Sequence, residues 1–133
     1  MVTFLWRTAG APEPSSDTNP FKDVKKSKFY YKAVLWAAEN HITEGTSATA
    51  FSPEAGCTRG QVVTFLWRFS GSPAPKTETN PFNDVKKGKF FYNAVLWAAE
   101  NEVTAGTTPT TFSPEDTCTR GQIVTFLYRA MEN

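Results

Sequence analysis

The chain has 133 residues, 40% of them hydrophobic and 20% charged, with 11 Phe, 4 Trp and 4 Tyr. This balance excludes disordered and collagen-like chains and suits one domain or two small repeats rather than a large multidomain enzyme. Fourteen Lys and Arg against thirteen Asp and Glu leave a net charge of +1, so no global field draws the chain to nucleic acid or an anionic membrane, and any anion recognition has to be local. No apolar run approaches the roughly 18 residues of a membrane span, and the first residues lack the charged n-region and cleavage site of a signal peptide. Cys57 and Cys118 are too few for a disulfide scaffold and have no CxxC neighbour or nearby His for zinc. No metal and no cofactor is expected.

The first element is VTFLWR at Val2 to Arg7, which returns at Val63 to Arg68 and as VTFLYR at Val124 to Arg129. The period is 61 residues without a gap, and residues 21–68 match residues 82–129 at 34 of 48 positions, the signature of a stacked or pseudo-symmetric architecture. The chain thus opens in mid-repeat and reads as a fragment. Residues 1–10 are the helix remnant of a preceding unit, and 11–71 and 72–133 are full units, together one domain.

Lys28 to Asn40 has no Gly or Pro and spaces Tyr31, Val34, Leu35 and Ala38 for a helix, with Phe29, Ala33, Trp36 and Ala37 widening the apolar surface. A loop follows over Thr46 to Gly56, pinned by Phe51. Thr58 and Gln61 then form a capping box, as do Thr119 and Gln122, opening a helix that runs to about Phe69 in the first unit. Cys57 with Val62, and Cys118 with Ile123, are spaced as hydrophobic staples. Gly71 and Pro73 stop the helix, and a Pro-rich stretch to Pro81 reads as an extended connector. A two-helix unit cannot bury both apolar faces alone, so the expected fold is all-α, with tandem helix-loop-helix repeats around a central cluster of the three VTFLWR-type helices.

These elements resemble the S-layer homology family. The resemblance rests on Phe21-x-Asp23-Val24, Tyr31-x-Ala33-Val34 with Trp36-Ala37, the Gly45-Thr46 turn, Phe51-x-Pro53 and Thr58-Arg59, all recurring in the second unit. It implies a pseudo-threefold helical bundle that anchors an exported protein to the bacterial cell surface by binding acidic, pyruvylated secondary cell-wall polysaccharide. The family's Thr-Arg-Ala-Glu stretch falls on Thr58 to Gln61 and Thr119 to Gln122, which makes Arg59 and Arg120 the implied ligand contacts. Gly60 and Gln61 depart from that stretch, and the family's Asp-Gly turn is Ala48-Thr49 here and Pro109-Thr110 in the second unit. His41 and Glu102 stand where the family commonly ends its first helix with Gly, so Asn40 and Asn101 are expected to supply the left-handed cap.

Arg59 and Arg120 sit at a first helical position, where the dipole disfavours a cation by up to about 1 kcal/mol and a bound carboxylate or phosphate would compensate. The competing reading is an internal pair with Asp23, Asp84 or a loop Glu. Lys25 and Lys26, with Lys86 and Lys87, read either as a cationic rim around the arginines or as a solvated face. Trp36 and Trp97 are expected in the core, whereas Trp67 is a candidate for stacking on a sugar. Arg7, Arg68 and Arg129 complement helix C-termini, and Glu39 and Glu100 read as solvated helix ends. Each cysteine reads as a small buried hydrophobe, with a Cys57–Cys118 disulfide requiring the two Cα atoms within about 7 Å.

No motif for His-based, serine or metal hydrolysis appears, so the chain is not expected to be an enzyme. The alternative to polysaccharide anchoring is a protein-interaction or self-assembly module, a homodimer or domain swap completing the partial first unit. Thr58→Ala is expected to cost about 1 kcal/mol, and Arg59→Ala little stability but all binding.

Overall fold

The computed structural model describes residues 1–132. It is all-α, with α1 (Val2–Thr8), α2 (Tyr31–Glu39), α3 (Arg59–Phe69), α4 (Tyr92–Glu100) and α5 (Arg120–Glu132). Among the described residues there is no strand, and isolated bridges join Ser47 to Ala50, Thr58 to Thr117 and Thr108 to Thr111. The chain separates into two units, Met1–Ala55 and a second that begins at Gly56.

In the first unit α1 packs on α2. Val2 and Leu5 of α1 are buried, as are Ala33 to Ala37 of α2 and the following Ile42. Helix α1 ends in a Schellman motif: Ala11 N donates to Trp6 O at 2.8 Å and Gly10 N to Arg7 O at 3.0 Å, with Gly10 left-handed at φ 93°. The connector is fastened to α2, because Ser15 N donates to the Glu39 carboxylate at 2.9 Å. Lys76 N and Thr77 N repeat this on Glu100 in the second unit. These two glutamates therefore anchor the connector as well as ending their helices, Glu39 exposed and Glu100 half-buried.

Two features of α2 differ from the residue pattern. The helix begins at Tyr31 rather than Lys28, because Lys28 N and Tyr31 N close successive turns on Lys25 O and Lys28 O. This leaves Phe29 75% exposed, outside the apolar surface it was expected to widen. At the other end His41 and Glu102, not Asn40 and Asn101, adopt the left-handed conformation, each at φ 58°. Buried Ile42 fixes that register: its amide reaches Ala37 O at 2.8 Å, the long Schellman bond, so the left-handed residue must come directly before it. The Asn40 and Asn101 amides instead donate to Trp36 O and Trp97 O, each at 2.8 Å.

In the second unit α3 packs on both α4 and α5. Its core is built from Val62, Val63 and Leu66 of α3, Ala94 to Ala98 of α4, Val103, Phe112, and Ile123 and Phe126 of α5. Trp36 and Trp97 are buried in their respective units, as expected. The loop before α3, and its copy before α5, is held by one aspartate each. Asp23 accepts from Phe51 N and Ser52 N at 2.9 and 2.8 Å, and Asp84 accepts from Phe112 N and Ser113 N at the same distances. Gly45, at φ 81°, lets the loop close on Phe21, because a Cβ there would lie 2.5 Å from both the Phe21 ring and Ala50 O.

Candidate ligand-binding site

Both expected capping boxes form. Thr58 Oγ1 accepts from Gln61 N at 3.1 Å while Thr58 N donates to Gln61 Oε1 at 2.8 Å. Thr119 and Gln122 repeat the pair at 3.1 and 3.0 Å. A helix start has four amides without intrahelical partners, and at α3 the segment leading into α5 takes the two that the box leaves. Arg59 N donates to Asp116 O and Gly60 N to Pro114 O, each at 2.9 Å. Gly60 is required by this approach, since a Cβ would meet the Phe91 ring at 2.9 Å and Pro114 O at 3.2 Å.

The Arg59 side chain is drawn into the same packing and is only 4% exposed. Its Nε donates to Phe112 O at 2.8 Å, and its guanidinium carbon lies 4.8 Å from the Phe112 ring centroid and 5.3 Å from that of Phe126. A carbonyl and two aromatic faces thus hold the cation. Burial lowers the affinity of Arg59 for its proton, and the nearby Cys118, Asp116 and Asp84 oppose that shift.

Arg120, the same position one repeat later, is in a different setting. It is exposed, as is Gly121, and no acceptor or ring engages its guanidinium among the described residues. Among the described residues, only Thr119 Oγ1 lies within reach of a Cβ added at Gly121, at 3.9 Å, so the α5 start is open where the α3 start is filled. No contact in the structure explains Gly121.

Lys25, Lys26, Lys86 and Lys87 are all exposed, on the turns that precede α2 and α4. Trp67 is half-buried and its indole N–H donates to Pro73 O at 2.8 Å, as Trp6 does to Pro12 O. The residue pattern gave no sign of a cavity of about 300 Å³ in the second unit, bordered by Ser70, Lys76, Trp97, Glu100, Asn101 and Ala130. Ala130 lies ten residues from Arg120 on α5, about 15 Å along the helix axis, so the cavity and the Arg120 position are separate places on that helix.

Comparison with known proteins agrees with this repeated architecture. The S-layer homology domain model matches residues 20–63 and 81–124. An endoglucanase of Bacillus sp. (strain KSM-635) is 34% identical over 125 residues, which cover 94% of this chain and 13% of that protein. The surface-layer 125 kDa protein of Lysinibacillus sphaericus is 44% identical over 54 residues, 41% of this chain and 4% of its own length. A cell surface protein of Thermoanaerobacter kivui is 28% identical over 118 residues, covering 86% of this chain and 16% of that protein. The chain spans only a small part of each relative.

Proposed function

The chain belongs to the S-layer homology domain family, a family of cell-surface anchoring modules, and from that premise we infer that it holds its parent protein on the bacterial wall by binding acidic, pyruvylated secondary cell-wall polysaccharide without catalysing a reaction. One observation carries this reading: Arg120 is exposed at a capped helix start whose approach is open, next to exposed Gly121. A guanidinium there can fork onto a carboxylate while the helix end adds its own positive potential. Arg120 makes the direct contact in this scheme. Arg59, 4% exposed, acts by holding the Phe112 segment in place. Exposed Lys25, Lys26, Lys86 and Lys87 add local positive charge along an acidic polymer, and Trp67 offers its half-buried ring to a sugar. Repetition of weak contacts on a repeating polymer yields avidity without a tight single pocket.

Cosedimentation with Gram-positive sacculi, before and after removal of the secondary polysaccharide, tests the reading. The chain is expected to pellet only when the polysaccharide is present, and Arg120→Ala to lose pelleting while melting unchanged. Pelleting by Arg120→Ala at the level of the unsubstituted chain would refute the assignment of that residue.

A second reading has its own observation. Val124, Tyr128 and Met131 of α5 are 47%, 64% and 45% exposed, and their spacing places them on one helix face. A self-assembly module would cover that face with another chain. Light scattering distinguishes the two: a monomer that pellets with sacculi favours the wall ligand alone, and a dimer abolished by Tyr128→Ser favours assembly.

A further inference from the structure

We propose that Cys57 and Cys118 close into an intramolecular disulfide, fastening the residue before the α3 cap to the segment that leads into α5. The two cysteines are 61 positions apart in sequence, yet the backbone sets them face to face. Thr58 and Thr117 form an antiparallel bridge, flanked by Cys118 N donating to Cys57 O at 2.8 Å and Arg59 N donating to Asp116 O at 2.9 Å. That register places Cys57 directly opposite Cys118. Of the two bonds such an opposed pair can exchange, Cys118 N to Cys57 O is formed, and opposed residues in antiparallel pairing have Cα atoms about 4.5–5.5 Å apart, within the range that disulfides span. Both thiols are free in the structure, and neither takes part in the candidate ligand site. Burial raises both thiols above the ordinary range, and each cysteine lies in an electrostatic environment it shares with its neighbours: Arg59 opposes the shift at Cys118 while Cys57 adds to it.

The repeat explains why the pair meets. Each cysteine occupies the position before a helix cap, and the segment before α5 lies along the segment before α3 because it supplies the carbonyls that cap α3. The same antiparallel contact that satisfies the α3 amides therefore aligns the two cysteines. A bond between them would lock residues 112–118 onto α3 and fix Arg59 beneath that segment.

The oxidant is a small-molecule disulfide, for which oxidised glutathione serves as the probe. One cysteine thiolate attacks a glutathione sulfur, forming a mixed disulfide and releasing one glutathione thiolate. The second cysteine thiolate then attacks the protein-bound sulfur of that mixed disulfide, forming the Cys57–Cys118 bond and releasing the second glutathione. Two protein thiols are oxidised, one glutathione disulfide is reduced to two glutathiones, and the two protons pass to the released thiolates.

The whole chain is incubated with oxidised glutathione at mildly alkaline pH, which offsets the rise that burial imposes on both thiols and supplies the thiolate, then analysed by intact mass, non-reducing peptide mapping and thermal melting with and without reductant. The expected result is a monomer lighter by two hydrogens, a peptide linking Cys57 to Cys118, and a melting temperature raised by about 10 °C that reductant reverses. Because this comparison uses the unsubstituted chain, it does not depend on any variant folding, and Cys57→Ala and Cys118→Ala should each abolish the shift. The proposal is overturned if both thiols remain open to alkylation, if oxidation stops at glutathione adducts, or if the only cross-link joins two chains.

Discussion

Replacing Arg59 by Ala removes a guanidinium that bonds Phe112 O and lies over two rings while only 4% exposed. A loss of about 2 kcal/mol is expected, since buried charged hydrogen bonds and desolvated cation–π contacts are each worth one to a few kcal/mol. Denaturant titration checks it, with Arg120→Ala within about 0.5 kcal/mol of the unsubstituted chain as the internal control. The sequence suggested a small cost at Arg59, because identical residues at identical repeat positions carry no sign of which copy a neighbouring loop will cover. Asp23 gives a pH prediction of definite sign. Its carboxyl is held below the ordinary aspartate range, chiefly by the Phe51 amide, with burial opposing and Ser52 N adding to the effect. The stability this contributes is fully present above the unfolded pKa and is lost as pH falls through the lowered folded value. Melting curves between about pH 6 and pH 2 should therefore fall less steeply for Asp23→Asn than for the unsubstituted chain.

At the level of the helices, the two capping boxes were legible because Thr and Gln three residues apart satisfy each other locally, whatever surrounds them. Thr58→Ala is accordingly expected to cost about 1 kcal/mol in thermal or chemical unfolding. What covers those helix starts was not legible, because Asp116 O and Pro114 O reach α3 from more than fifty residues away. The glycines test this difference directly. Gly60→Ala is expected to destabilise by about 1–3 kcal/mol through its clash with Phe91 and the Pro114 carbonyl. Gly121→Ala, in open surroundings, should be neutral or stabilising by up to about 1 kcal/mol. The start of α2 was misplaced for a related reason: Lys28 to Tyr30 contain no helix breaker, yet the Lys28 amide and carbonyl are committed to separate turns. The left-handed residue at its end was displaced by one because burial of Ile42, not the propensity of Asn40, sets the register.

Over the whole chain, the 61-residue period gave the helical class and the core tryptophans, because α2 and α4 carry the same apolar pattern and bury the same face. The distinction between a filled and an open arginine position, and the meeting of the two cysteines, depend on contacts between repeats that no single repeat encodes. The proposed binding to an acidic polymer predicts pelleting that weakens as salt is raised from about 0.05 to 0.5 M, because an exposed cation such as Arg120 is open to screening. Pelleting measured across that range, with melting followed in parallel, separates lost attraction from lost structure. The Pro-rich connector has a consequence for survival outside the cell. Its composition is that of an extended surface segment without helix or strand, the usual point of entry for proteases. In the second unit, however, Pro73 O receives the Trp67 indole, Lys76 N and Thr77 N are bound to Glu100, and Asn80 Nδ2 reaches Val85 O. A protease must seat an extended stretch of backbone in its cleft, and here the backbone of Pro73, Lys76 and Thr77 is already committed. The stretch that looks easiest to cut should be among those that endure digestion until its unit unfolds.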